Sequence, residues 1–259
     1  MTEEHLKRLR EYSAEDRVVT SHEMKLAFTM DADNIVDVKS LIPGIDRACD
    51  GFRDGELIVI SGPTKNGKTL LAQSLTVNFC KQNNFPLWFT FEVPARQFLG
   101  QFPELPLIYM PQKLKPRAMD WFEDRVYESF EKFHTRIIFI DHLHYLVDLA
   151  RQKQMSIEIG TIIRQLKTLA VNGNFVIFLL CHTTKGKQDG TLSYESIRDS
   201  SFISQESDAV IMIKRTPDDG ENTARARVEF HRRTGILERT IQLIKINGVL
   251  RENATGQYN

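Results

Sequence analysis

The run Leu57-Ile58-Val59-Ile60-Ser61, followed by Gly62-Pro63-Thr64-Lys65-Asn66-Gly67-Lys68-Thr69, constrains the fold more than any other stretch of this chain. The second half fits the pattern G-x-x-x-x-G-K-[ST]. The apolar, β-branched run before it reads as a buried strand, and Leu70 to Phe79 after it carries apolar residues at helical spacing. The glycines allow a tight turn that points several backbone N–H groups into one concavity. The helix that follows aims its positive end at the same place. Residues 62–69 therefore read as an ATP-binding loop. Lys68 is spaced to reach the β- and γ-phosphates, and Thr69 to offer its hydroxyl to Mg²⁺.

A chain of 259 residues with 41% hydrophobic content can build one large α/β domain, alone or with a short appendage. The formal net charge is zero. The chain as a whole thus has no electrostatic footprint for nucleic acid, and any such binding must come from a local basic surface, repeated around an oligomer. The three cysteines, Cys49, Cys80 and Cys181, form no C-x-x-C pair and read as reduced core residues of a cytoplasmic protein. The amino-terminal residues lack the basic-then-apolar pattern of a signal peptide. No apolar run approaches the roughly 20 residues needed to span a bilayer.

Residues 2–13 carry Leu6, Leu9 and Tyr12 at helical spacing. Such a helix can rest on its own domain or dock on a neighbouring subunit. Residues 14–54 are irregular, with turn signals at Pro43-Gly44, Asp50-Gly51 and Asp54-Gly55. Beyond them strands and helices alternate. Strands are expected at 86–91, 105–110, 136–140 and 174–181, and helices from 94, over 119–133 and over 156–171. This alternation predicts a mostly parallel, doubly wound sheet. Three short alternating segments, 209–214, 224–230 and 239–246, are bounded by turns and read as antiparallel strands extending it.

Ligands of open α/β sheets bind beyond the carboxyl ends of the strands. Each apolar strand here ends in a polar group: the phosphate loop, then Glu92, Asp141 and His182. Asp141 after Ile137-Ile138-Phe139-Ile140 has the form of a Walker B acid that holds the Mg²⁺ shell, partly through water. Glu92 is a candidate general base for an attacking water. His182 is placed to contact the γ-phosphate and report its loss to the segment that follows.

At these residues the chain resembles the RecA-type ATPase domain of the DnaB-like replicative helicase family, from about Gly44 to about Glu252, and more distantly Twinkle-type and RadA-type ATPases. The similar segments are GIDRACDGFRDGELIVISGPTKNGKT, WFTFEVPARQF, IIFIDHLHYL, SIRDSSFISQESDAVIMI and VEFHRRTG. The resemblance implies a RecA-like fold, ATP and Mg²⁺ as cofactors, and Glu92 as the catalytic glutamate. It also implies that Arg233 acts in trans on the ATP of the neighbouring subunit. A DNA-facing loop is implied around Arg198, Asp199, Ser200, Gln205 and Asp208. Lys185, Lys187 and Arg198 are the candidate phosphate contacts to DNA, or else ordinary solvated side chains. Three positions depart from the family. His182 stands where glutamine is usual, His231 where a trans-acting lysine is usual, and Ser201 replaces a glycine of the DNA loop. Residues 1–40 read as an arm and linker and residues 41–259 as the ATPase domain, with neither the family's N-terminal helical domain nor a primase domain expected.

The leading expectation is an ATP-driven motor on single-stranded DNA, assembled as a homo-oligomer, a hexameric ring above all, with a replication loader or primase as further partner and no membrane. Two others stay open. One is a regulatory ATPase that assembles with ATP without unwinding DNA. The other is a recombination-type ATPase that forms filaments.

Overall fold

A computed structural model of the chain describes residues 2–14, 17–30, 36–116, 118–146, 155–182, 200–215, 220 and 222–253. The chain divides into two compact units, Met1–Ile35 and Val36–Asn259. The first holds helices α1 (Glu3–Arg10) and α2 (Ser21–Met30). Acidic Glu3 and Glu4 open α1 and basic Lys7, Arg8 and Arg10 close it, which suits the helix dipole at both ends. The start of α2 is a capping box absent from the sequence-based expectations. Glu23 N donates to Thr20 Oγ1 (3.2 Å), and Thr20 N donates back to Glu23 Oε2 (2.9 Å).

The second unit opens with β1 (Asp37–Val38), α3 (Pro43–Cys49) and β2 (Phe52–Arg53), where β1 and β2 pair with each other. Its main sheet comprises β3 (Leu57–Gly62), β4 (Leu87–Thr90), β5 (Ile137–Asp141), β6 (Val176–His182), β7 (Ala209–Lys214), β8 (Thr223–His231), β9 (Glu238–Ile246) and β10 (Val249–Glu252). Their order is β10-β9-β8-β7-β3-β6-β5-β4. The pairs β4–β5, β5–β6, β3–β6 and β3–β7 are parallel, and β7–β8, β8–β9 and β9–β10 are antiparallel. The first of the three segments expected to be antiparallel, β7, therefore belongs to the parallel core. It is reached through helix α8 (Ser200–Glu206), so the chain returns to β3 in the same direction.

The central strands are apolar on both faces because both are covered. Ile58, Ile60, Trp88, Phe139, Phe178 and Leu180 face α3 and α4 (Lys68–Cys80). Leu57, Val59, Phe89, Ile138, Ile140 and Leu179 face α6 (Met119–Phe133) and α7 (Met155–Gly173). On the first face Trp88, Phe139 and Phe178 stack across β4, β5 and β6, with centroids 4.6 Å apart in both pairs. The buried Trp88 indole keeps a partner, donating to Thr76 Oγ1 at 3.0 Å. Between β4 and α6 lies the short α5 (Ala95–Leu99). The strand expected at 105–110 is only a single bridge, Tyr109 beside Leu87. Leu105 and Leu107 are exposed there, so the segment lacks the two-sided burial that sustains a strand.

Candidate active site

The phosphate loop follows β3 directly and ends where α4 begins, as its sequence requires. Gly62 is confined by its surroundings, since a Cβ there would lie 2.1 Å from the carbonyl oxygen of Ile213 on β7. Gly67 has φ +95°, a conformation that favours glycine, and caps α4. Asn66 braces the loop by donating to Thr64 O (2.9 Å) and accepting from Arg215 N just beyond β7 (2.8 Å). Lys68 is buried, and its Nζ donates to the carbonyls of Gly62 and Pro63, both at 2.9 Å. Burial lowers its pKa, while Glu92 and Asp141 pull it back up.

Register brings the polar strand ends together. His182 is abreast of Gly62, Thr90 is abreast of Asp141, and Asp141 is abreast of Leu180. Thr69 Oγ1 donates to Asp141 Oδ2 at 2.8 Å. A hydroxyl beside a carboxylate is the hard-oxygen pair that Mg²⁺ prefers, so these residues fit the ion. Burial is the main force on Asp141, and the carboxyl is pushed up to about 6. The Thr69 hydrogen bond and Lys68 oppose that rise, and Glu92 adds to it. Glu92, its side chain 40% exposed, reaches over the site from just past β4. Its Oε2 lies 3.9 Å from His182 Nε2 and 4.0 Å from His142 Nε2. His142 is not among the residues that sequence reasoning picks out. It follows Asp141 directly, with no spacing signal, and only the register of β4, β5 and β6 shows what it meets. Beside Glu92 opens a cleft of about 380 Å³ lined by Phe91, Pro94, Met110 and Leu114.

Cys49 and Cys181 are core groups, whereas Cys80, expected there too, is only half-buried. Burial pushes the Cys49 and Cys181 thiols up to about 12 and Cys80 up to about 11, so all three stay protonated near neutrality.

Arg233 lies at the other end of the sheet. His231, at the end of β8, pairs with Ala209, the first residue of β7. Arg233 Nε donates to Glu56 Oε1 (2.9 Å), and Nη2 donates to the carbonyls of Cys49 (2.8 Å) and Gly51 (2.9 Å). His231 Nε2 stands 3.4 Å from the same Glu56 oxygen. Burial alone would raise the Glu56 carboxyl. The His231 ring, the Arg53 amide and the Arg233 guanidinium outweigh it and hold the group below its ordinary range. Asp208 serves this end too, accepting from Leu57 N (2.8 Å) and Lys167 Nζ (2.6 Å). It is thus a brace for β3 and α7, facing away from the phosphate loop.

Lys185, Lys187, Arg198 and Asp199 lie outside the described residues. Gln205 and Ser200 fall in α8, and Gln205 O accepts from Arg232. Phe202 packs on α7, against Gly160, with its ring centroid 5.7 Å from the Arg164 guanidinium carbon. No helix of the described residues is long and apolar enough to cross a membrane.

The family model described as the DnaB-like helicase C terminal domain matches residues 108–245, and an ATPase model described as KaiC matches residues 38–107. A protein of Trieres chinensis described as a probable replicative DNA helicase is 21% identical over 207 residues, covering 66% of this chain and 46% of that protein. The chain thus spans about half the length of this curated relative. Among solved structures, one described as an ATPase domain has a TM-score of 0.78 at 17% identity, covering 91% of this chain and 99% of its own. A DnaB-like replicative helicase, solved in a study of its interactions with primase, has a TM-score of 0.75 at 17% identity, covering 96% of this chain and 70% of its own.

Proposed function

This chain belongs to the DnaB-like helicase C-terminal domain family, and on that premise we propose that it is an ATP-hydrolysing motor that translocates on single-stranded DNA. The observation that carries the reading is the convergence of Thr69, Asp141 and Glu92 beyond one row of strand ends. Phosphates of ATP take the place of the Gly62 and Pro63 carbonyls as partners of Lys68, and the loop amides and the start of α4 hold their charge. Thr69 and Asp141 would hold Mg²⁺, which when bound would supply charge neutralisation for the phosphates. Glu92 takes the proton from a water held in line with the γ-phosphate. His182, abreast of Gly62, senses the γ-phosphate and couples its loss to the segment that leads to α8. In this reading Lys185, Lys187 and Arg198 grip the DNA backbone.

We assign ATP to the interface of a homo-oligomer, hexameric by preference, with Arg233 as the neighbour's finger. Its present bonds to Glu56, Cys49 and Gly51 must then be exchanged for the γ-phosphate when subunits close. A regulatory ATPase that does not unwind DNA is the second reading, favoured by the zero net charge. Steady-state hydrolysis with and without single-stranded DNA separates them. A DNA-stimulated rate that falls by about 10²-fold or more in Glu92→Gln, with ATP binding retained, is expected for the motor. Hydrolysis indifferent to DNA would sink it in favour of the second reading.

A further inference from the structure

The distances around Glu92 point to more than a general base. Glu92 Oε2, His142 Nε2 and His182 Nε2 come from the ends of β4, β5 and β6. The carboxylate is 4.0 Å and 3.9 Å from the two rings, and one ligand atom from each residue lies within 4.8 Å of the others. Separations of this size are too long for hydrogen bonds. They suit a shared ion: for three donors separated by 3.9, 4.0 and at most 4.8 Å, an equidistant point lies at most about 2.5 Å from each, a few tenths of an ångström beyond the 2.0–2.2 Å of zinc–imidazole and zinc–carboxylate bonds. Two of the three ligands are already held. The His142 and His182 side chains are only 12% and 22% exposed. Their rings stand edge to face, with centroids 4.5 Å apart at 81°, and Tyr145 lies 5.0 Å from His142 on another side. The exposed Glu92 needs only to swing inward by a few tenths of an ångström.

We propose that Glu92, His142 and His182 form an inhibitory site for a borderline transition-metal ion of the Zn²⁺ class, separate from the Mg²⁺ position. Two imidazoles and a carboxylate with room for a water are a ligand set of zinc, whereas Mg²⁺ prefers oxygen donors, here Thr69 and Asp141. An ion on Glu92 occupies the lone pairs that would accept a proton from water, and it fixes His182 away from the γ-phosphate. Zn²⁺ therefore stops hydrolysis without displacing ATP. The inhibition rests on Glu92 being the general base, whereas the ion site itself does not.

The test uses Co²⁺ as a visible probe on the metal-free full chain without nucleotide, alongside Zn²⁺ inhibition of hydrolysis. One Co²⁺ should bind per chain with the visible absorption of a low-coordinate nitrogen–oxygen site, and Zn²⁺ should displace it. His142→Ala, His182→Ala and Glu92→Gln should each weaken binding about tenfold or more. Because Glu92 is exposed, its variant reports on the site even where a histidine variant unfolds. Zn²⁺ should inhibit His142→Ala less, relative to that variant's own zinc-free rate, than it inhibits the wild type. Unchanged Co²⁺ binding in Glu92→Gln, or sulfur-to-cobalt absorption that places the ion on a cysteine, overturns the site. Tight Zn²⁺ binding with full hydrolysis overturns the inhibition. If Glu92→Gln is inactive and no Co²⁺ binds, the metal site falls and the general base stands.

Discussion

Gly62 leaves no room for a side chain, because a Cβ would sit 2.1 Å from the Ile213 carbonyl oxygen. That oxygen belongs to a strand backbone and cannot turn aside. Gly62→Ala should therefore push β3 from β7 and lose ATP affinity and stability together, by about 1–3 kcal/mol in the latter. Nucleotide titration and thermal melts of the same sample check it. At the other end of the sheet Glu56 makes a prediction in pH. Its folded pKa lies below the ordinary 4.5, held there by His231, the Arg53 amide and Arg233 against burial. A depressed carboxyl adds stability above its unfolded pKa and loses it as pH falls through the folded value. The melting temperature of Glu56→Gln should thus trail the wild type most above pH 4.5 and converge with it under acid. A gap that stayed constant with pH would assign the loss to packing instead.

Among the elements, the Trp88–Phe139–Phe178 stack ties the three strands whose ends bear Glu92, Asp141 and His182. Trp88→Ala should cost about 3–5 kcal/mol, read by chemical denaturation, and should leave Glu92 poorly held. Which elements the residue pattern reveals follows from their length and burial. The runs at 57–61 and 136–140 and the amphipathic helix over 119–133 carry enough periodicity to be read alone. The pair β1–β2, with two residues in each strand, and the seven-residue α3 are too short for any period to show. The direction of β7 depends on α8, a seven-residue helix that is equally short of a period. The same divide holds in the site. Residues 62–69 announce themselves by spacing, and Asp141 by the strand before it. His142 has no signal until three strands are set in register. Arg233 is singled out by resemblance alone, and its bonds to Glu56, Cys49 and Gly51 join residues more than 170 positions apart and leave no local trace.

For the whole molecule the sharpest question is whether Arg233 leaves its own chain to work on a neighbour. Mixing inactive Glu92→Gln subunits with inactive Arg233→Ala subunits decides it. In a random one-to-one mixture about a quarter of the interfaces regain both intact groups, so activity should reappear. No recovery, with mixed assemblies verified by mass, would confine Arg233 to bracing its own sheet.

The bond from Leu250 N to Ser74 Oγ has another consequence. It is 2.8 Å long and spans 176 positions, and Gly44 is held by Glu252 across 208. The helix that begins at the phosphate loop is thus completed by a strand made far later. On a ribosome adding about 5–20 residues per second, roughly 10–35 s pass between synthesis of the two partners. Through that interval the nascent chain carries an unfinished nucleotide pocket and uncovered apolar strands, so its route to the native state should be slow, non-local and dependent on chaperones.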